Sequence, residues 1–179
     1  MWNDTFQQLL KESIARFHAN YRNLDTFFTE RELIFLDSIG YHAREMFDFA
    51  EDYAQEGLPS PSTALLIAAV RRDYFLTIQH GKSGLEPIIT VNDLPTFGDK
   101  LLDIPYLPRI IKKAQGKLKG ALDPDIMFCC GGDRKFLKEH GDIHPADFLR
   151  IVWAAKDDEQ KIAHYVRDME KAATPHLDE

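Results

Sequence analysis

Cysteine is almost absent from this 179-residue sequence, and the two that occur, Cys129 and Cys130, are adjacent. Neighbouring cysteines cannot build the multi-bridge framework of a small secreted domain, and they lack the Cys-x-x-Cys spacing of zinc-binding and thioredoxin-like motifs. A reducing cytoplasm is the expected location. Long hydrophobic runs are missing too: the longest, residues 64–70, falls well short of the roughly 20 residues that span a bilayer. The opening stretch MWNDTFQQLLKES lacks the basic-then-apolar order of a secretory leader. Basic residues are in the minority, and a net charge of −7 disfavours non-specific attachment to nucleic acid or to an anionic membrane. There is no internal repeat and no low-complexity tract. With 44% apolar residues and twelve Phe, the chain has enough hydrophobic material to bury a core.

What is present reads as helix. Phe6, Leu9, Leu10, Phe17 and Tyr21 recur at three- and four-residue steps, predicting an amphipathic helix over 4–22. Thr29 followed by Glu32 is a capping box, opening a short helix that Gly40 ends in a left-handed conformation. A third helix over 42–56 turns Met46, Phe49, Ala50 and Tyr53 inward and stops at Gly57. Ser60-Pro61 then starts a helix carrying the apolar run 64–70. The segment 74–79 is rich in aromatic and β-branched residues. It either prolongs that helix or forms a short β-hairpin with 87–91, and the hairpin is the preferred reading.

The proline-rich stretch 92–108 is expected to connect an N-terminal helical lobe, 1–91, to a C-terminal helical domain, 109–179. The fold class is therefore mainly α: two small lobes in one compact chain, with the possible hairpin near 74–91. In the second half, Leu107, Ile110, Ile111, Ala114 and Leu118 form one apolar stripe that ends at Gly120. Short helices follow over 133–139 and from His144-Pro145. A last helix has Asp157, Asp158 and Glu159 in its first turn, where the macrodipole favours negative charge.

Three pieces of this half carry a family likeness. They are Leu107-Pro108-Arg109-Ile110-Ile111-Lys112-Lys113-Ala114 with Lys117-Leu118-Lys119-Gly120, then Cys130-Gly131-Gly132-Asp133-Arg134-Lys135-Phe136-Leu137, then Asp157-Asp158-Glu159 leading to Ile162-Ala163-His164-Tyr165-Val166. In order and spacing, residues 93–166 resemble the bacterial domain of unknown function 5069. The chain departs from that pattern at Gly131-Gly132, where the family more often has Cys-Pro ahead of its Asp. The resemblance implies a compact helical domain from a bacterium and implies no activity.

Four constellations are candidates for function. Arg109, Lys112, Lys113, Lys117 and Lys119 make residues 106–119 a concentrated positive helix without a single acid. Arg109, Lys113 and Lys117, at four-residue steps, share a face able to hold a phosphate or carboxylate. The bland alternative is a solvated face offset by Asp99, Asp103, Asp123 and Asp125. Second, the glycines after Cys130 lead into a helix start, so Cys130 is a conceivable nucleophile with His140 or His144 as base, and Asp133 and Arg134 beside it. Asp133 reads first as a helix N-cap, and a buried, inert cysteine is the commoner case. Third, His140 and His144 are separated by a helix break, which argues against metal ligation. Fourth, Glu45, Asp48, Glu51, Asp52 and Glu56 form an acidic helix face, expected to be solvated or paired with Arg71 and Arg72. Following an apolar run, at least one of these arginines should be partly buried.

Function follows from these only in outline. The leading expectation is a non-catalytic binding or adaptor protein whose basic helix (Arg109, Lys112, Lys113, Lys117) meets a small anion or an acidic protein partner. The alternative is an enzyme acting on a small phosphorylated or carboxylated metabolite, its site between the lobes and Cys130, Asp133, Arg134 and Arg109 its suspects. No cofactor or metal is called for, and twelve Phe, many for one small core, leave a homodimer open.

Overall fold

Helix boundaries are set by capping residues. In the computed structural model, which describes residues 1–174, α1 (Trp2–His18) and α2 (Leu24–Phe27) lead to α3 (Glu30–Ser38). Thr29 and Glu32 close the expected capping box on α3, Glu32 Oε2 accepting from the Thr29 amide at 2.7 Å. Helix α4 (Ala43–Glu56) ends at Gly57 with φ +71°, and α5 (Pro61–Thr77) begins on the Ser60 cap with proline in its first turn. After a 3₁₀ turn (Val91–Asp93) comes an antiparallel hairpin of β1 (Lys100–Leu101) and β2 (Ile104–Pro105). Four helices complete the chain: α6 (Leu107–Lys119), α7 (Gly131–Glu139), α8 (Pro145–Ala155) and α9 (Glu159–Ala173).

The fold is mainly α with one short hairpin, as expected, but the hairpin lies at 100–105 and not near 74–91. Tyr74 to Thr77 continue α5. Phe75 is buried in the angle beside Gly40, where any Cβ would collide with its ring, and Tyr74 packs edge-on against Trp153 of α8. Tertiary contacts of this kind override a local β preference. Helix α1 is shorter than expected, ending at His18 and leaving Tyr21 exposed beyond it.

One hydrophobic core runs through both halves, from Phe6 and Phe17 of α1 through Ile67 of α5 to Phe148 of α8 and Val166 of α9. Helix α5 is the hinge of this arrangement, packing on α1 from its own half and on α6 and α8 from the other. All Phe except Phe35 and Phe97 are buried, nine of them in this core, so the aromatic content is absorbed by one chain and offers no argument for a dimer. Among the described residues no helix is long and apolar enough to cross a membrane.

Candidate functional site

The acidic helix and the basic helix of the sequence face each other. Lys117 Nζ of α6 lies 2.6 Å from Glu45 Oε1 of α4, with the lysine side chain 3% exposed and the glutamate 17%. Arg134 of α7 bridges Asp52 and Glu56 of the same α4, each at 2.8 Å. Asp48 is held by Arg44 one turn earlier, at 2.7 Å. Of the α4 acids, Glu45, Asp52 and the exposed Glu56 pair with α6 and α7, not with Arg71 and Arg72, and join the two halves of the chain.

Arg71 is buried as expected, at 1% exposure, yet among the described residues it pairs with no carboxylate. Its Nη1 donates to Gln79 Oε1 at 2.7 Å, its guanidinium sits over the Phe75 ring, and its Nε is without a partner. Gly120 stands directly against it. This residue closes α6 at φ +62°, and a Cβ there would fall 2.5 Å from Arg71 Nη2. Two buried cations, Arg71 and Lys117, thus stand near one half-buried carboxylate, Glu45, which pairs with Lys117. Burial works against the Glu45 carboxylate, but Lys117 and the His42 amide outweigh it and hold its pKa below the usual range. Burial lowers the pKa of Lys117; Glu45 opposes that and Arg71 adds to it by repulsion. Tyr41, whose ring lies 4.1 Å beneath Lys117 Nζ, has a buried hydroxyl that also lacks a partner among the described residues. The interior here carries an excess of positive charge and of unused hydrogen-bonding capacity.

Above this group opens a cavity of about 290 Å³. Its floor is Lys117, Glu45 and Gly120, its walls are Phe49, Phe128, Met127, Ile126 and Leu122, and its rim holds His42, Arg44, Asp48 and Asp123. Chain topology builds it: Gly120 turns α6 back, the Ile89 amide donates to the Ala121 carbonyl at 2.7 Å, and the 122–128 loop is thereby folded over α4. Asp48, desolvated at the rim, has its carboxyl pushed up to about 6 despite Arg44.

No family model, curated protein or solved structure matches this chain. Its site must be read from its own geometry.

The structure separates the four basic residues that the sequence grouped. Lys113 and Lys117 point into the protein and are neutralised by Asp133 and Glu45; Lys113 Nζ is 2.6 Å from Asp133 Oδ2. Arg109 lies over the Phe97 ring and donates to the Pro95 carbonyl, and Lys112 is half-buried beside it. None of the offsetting acids suggested by proximity in sequence pairs with this helix; Lys119 reaches Glu86.

Cys130, Asp133 and Arg134 also part company. Arg134 is turned to α4, whereas Cys130 and Asp133 meet at Lys113, whose Nζ is 3.3 Å from Cys130 Sγ. The N-cap of α7 is Cys130, and Asp133 sits in the first turn as a fully buried acceptor for Lys113, Tyr106 and the Cys129 amide. The Tyr106 hydroxyl, burial first and Asp133 second, is held well above its usual pKa. The histidines are engaged elsewhere: His140 with Glu170, His144 as the cap of α8. Among the described residues no three metal-ligating side chains converge.

Sequence reasoning missed Tyr106, Gln79 and the cavity itself. Only the cavity had a signal, Gly120, a helix stop that is also a close-approach position.

Proposed function

We propose that the protein is a non-catalytic binding protein for a small amphipathic anion, an apolar molecule carrying one carboxylate. Its body occupies the cavity between α4 and the 122–128 loop, and its acidic group meets Lys117 at the floor. The observation that carries this reading is the buried charge balance: Arg71 and Lys117 against Glu45 alone, beneath an apolar cavity. Arg71 is the buried cation without a counter-charge, which is costly, and an anion placed against the neighbouring Lys117 offsets its charge. The volume of about 290 Å³ lies at the lower end of ligand pockets, which favours a small ligand over a nucleotide-sized cofactor. Arg44 engages Asp48 through Nε, leaving the terminal nitrogens of its guanidinium for a carboxylate at the rim.

This reading keeps the expectation of an anion met by the basic helix but moves the contact from its surface to Lys117. It belongs with a bacterial, cytoplasmic protein, for which the two free thiols speak, and with kinship to the domain of unknown function 5069 over 93–166. The enzyme reading draws on Cys130, Asp133 and Arg134; Asp133 is already occupied as an acceptor and Arg134 is turned to α4.

Calorimetric titration with octanoate, octanol and octylamine tests the proposal, because the three share a chain and differ in head group. Octanoate is expected to bind, octylamine not, and octanol at least tenfold more weakly than octanoate. Lys117→Met should erase the difference between octanoate and octanol, and Met127→Trp should fill the cavity and abolish both. Tighter binding of octylamine, or equal binding of octanol to the unaltered protein, would sink the anion reading.

A further inference from the structure

A second cluster, one turn before the cavity residue Lys117 on the same face of α6, has no part in that binding. Cys130 Sγ and Lys113 Nζ are 3.3 Å apart. The lysine cannot swing away, because Asp133 holds its ammonium at 2.6 Å and is itself anchored by Tyr106 Oη at 2.7 Å and the Cys129 amide at 2.8 Å. Lys113 is 6% exposed and Asp133 is fully buried, so this geometry is rigid. Cys130, at the start of α7, is half-exposed, while Cys129 is buried and burial pushes its thiol up to about 12. Gly132 leaves the face of the sulfur open: a Cβ at that position would lie 4.0 Å from Cys130 Sγ and 3.3 Å from Tyr106 Oη. An accessible sulfur with a captive amine in van der Waals contact is placed for one particular reaction.

We propose that Cys130 and Lys113 are an oxidation-sensitive modification site, joined by a sulfur–nitrogen bond when the protein meets hydrogen peroxide. The Cys130 thiolate attacks one peroxide oxygen; the S–O bond forms, the O–O bond breaks and hydroxide leaves. That hydroxide takes a proton from the Lys113 ammonium, giving water and a free amine. The amine lone pair then attacks the sulfenic sulfur. An S–N bond forms, the S–O bond breaks, and the departing hydroxide leaves as a second water with another Lys113 proton. Sulfur is oxidised by two electrons and peroxide is reduced to two waters. The link consumes the ammonium, so Asp133 loses its counter-charge and the packing of α7 on α6 is weakened until a thiol reductant restores the pair.

The test treats the full-length protein with stoichiometric hydrogen peroxide, alkylates it with iodoacetamide, and maps it by mass spectrometry. Expected are an intact mass lower by two hydrogens, Cys130 refractory to alkylation, and a peptide pair joined at Lys113 and Cys130 that dithiothreitol separates. A disulfide between Cys129 and Cys130 has the same mass loss, so Cys129→Ala is run in parallel and should still form the link. Lys113→Arg keeps the charge on Asp133 but cannot complete the bond, and should stop at a sulfenic acid trapped by dimedone. Loss of two hydrogens confined to a Cys129–Cys130 peptide, or a sulfenic or sulfinic Cys130 beside unmodified Lys113, would overturn the proposal. So would a Cys130 that peroxide leaves free.

Discussion

Lys117 Nζ and Glu45 Oε1, 72 residues apart in sequence, lie 2.6 Å from each other with the lysine ammonium also over the rings of Tyr41 and Phe49. This pair ties the C-terminal half of the chain to α4 and forms the floor of the cavity. Removing one partner of such a pair leaves the other as a buried, uncompensated charge, which costs far more than the intact pair contributes.

Glu45→Gln is therefore expected to destabilise the protein by about 3–5 kcal/mol, since Lys117 and Arg71 would then have no carboxylate near them. Asp147→Asn, which breaks the exposed Arg150–Asp147 contact, should cost no more than about 1 kcal/mol. Urea denaturation of both variants measures the contrast. Similar losses for the two would mean that the interior charge is not as isolated as its burial implies.

Lys113 and Asp133 should behave as a coupled unit. Lys113→Met or Asp133→Leu alone leaves a buried charge and is expected to cost about 3–5 kcal/mol. The double variant should lose less than the sum, with a coupling of at least about 1 kcal/mol. A double-mutant cycle by chemical denaturation reads this directly, and simple additivity would contradict the geometry.

Stability should depend on pH through two carboxylates of α4 with opposite signs. Asp48 has a folded pKa of about 6, above its ordinary 3.8, so the folded state holds its proton more tightly than the unfolded one. Its contribution is then fully present below about pH 4 and is lost as pH rises through 6. Glu45 is shifted down, so its contribution is present above the ordinary 4.5 and is lost as pH falls through its lower folded value. Asp48→Asn should consequently gain on the unaltered protein by an amount on the order of 2–3 kcal/mol between pH 4 and pH 7. Denaturation midpoints of both proteins at a series of pH values check the sign, and a constant difference across that range would refute the shift.

Gly120→Ala should be unusually damaging for a surface-adjacent helix stop. The new Cβ must adopt φ +62° and would lie 2.5 Å from Arg71 Nη2, so both backbone strain and a buried arginine are disturbed. A loss of about 2 kcal/mol or more is expected. Gly57→Ala, with similar φ of +71° but open space around it, should lose only the conformational part, about 1 kcal/mol. Thermal melts of the pair separate strain from collision.

Much of the helical scaffold was legible in the sequence because its signals are local. Thr29 and Glu32 are three residues apart, Ser60 and Pro61 are adjacent, and Gly57 and Gly120 stop their helices through their own backbone freedom. Apolar stripes at helical spacing likewise identify the inward faces of α1, α4, α6 and α8. Tyr74 to Thr77 were not decidable on that basis, since their β preference is weaker than the packing of Phe75 beside Gly40 and Tyr74 on Trp153.

The direction of the charges was a tertiary matter throughout. Lys113 and Lys117 look in sequence like an exposed basic face, and Glu45 and Asp52 like an exposed acidic one. Their burial is decided by partners 20, 72 and 82 residues away, which no spacing rule connects. Sequence alone determined that this chain makes amphipathic helices, where most of them begin and end, and that its balance of charge is acidic. Only the folded structure decided which charges are interior, that Arg71 and Lys117 stand near a single carboxylate, and that a cavity lies above them. A long side chain buries its charge when a counter-charge waits at the end of its reach, and that condition exists only once α4, α5 and α6 have packed.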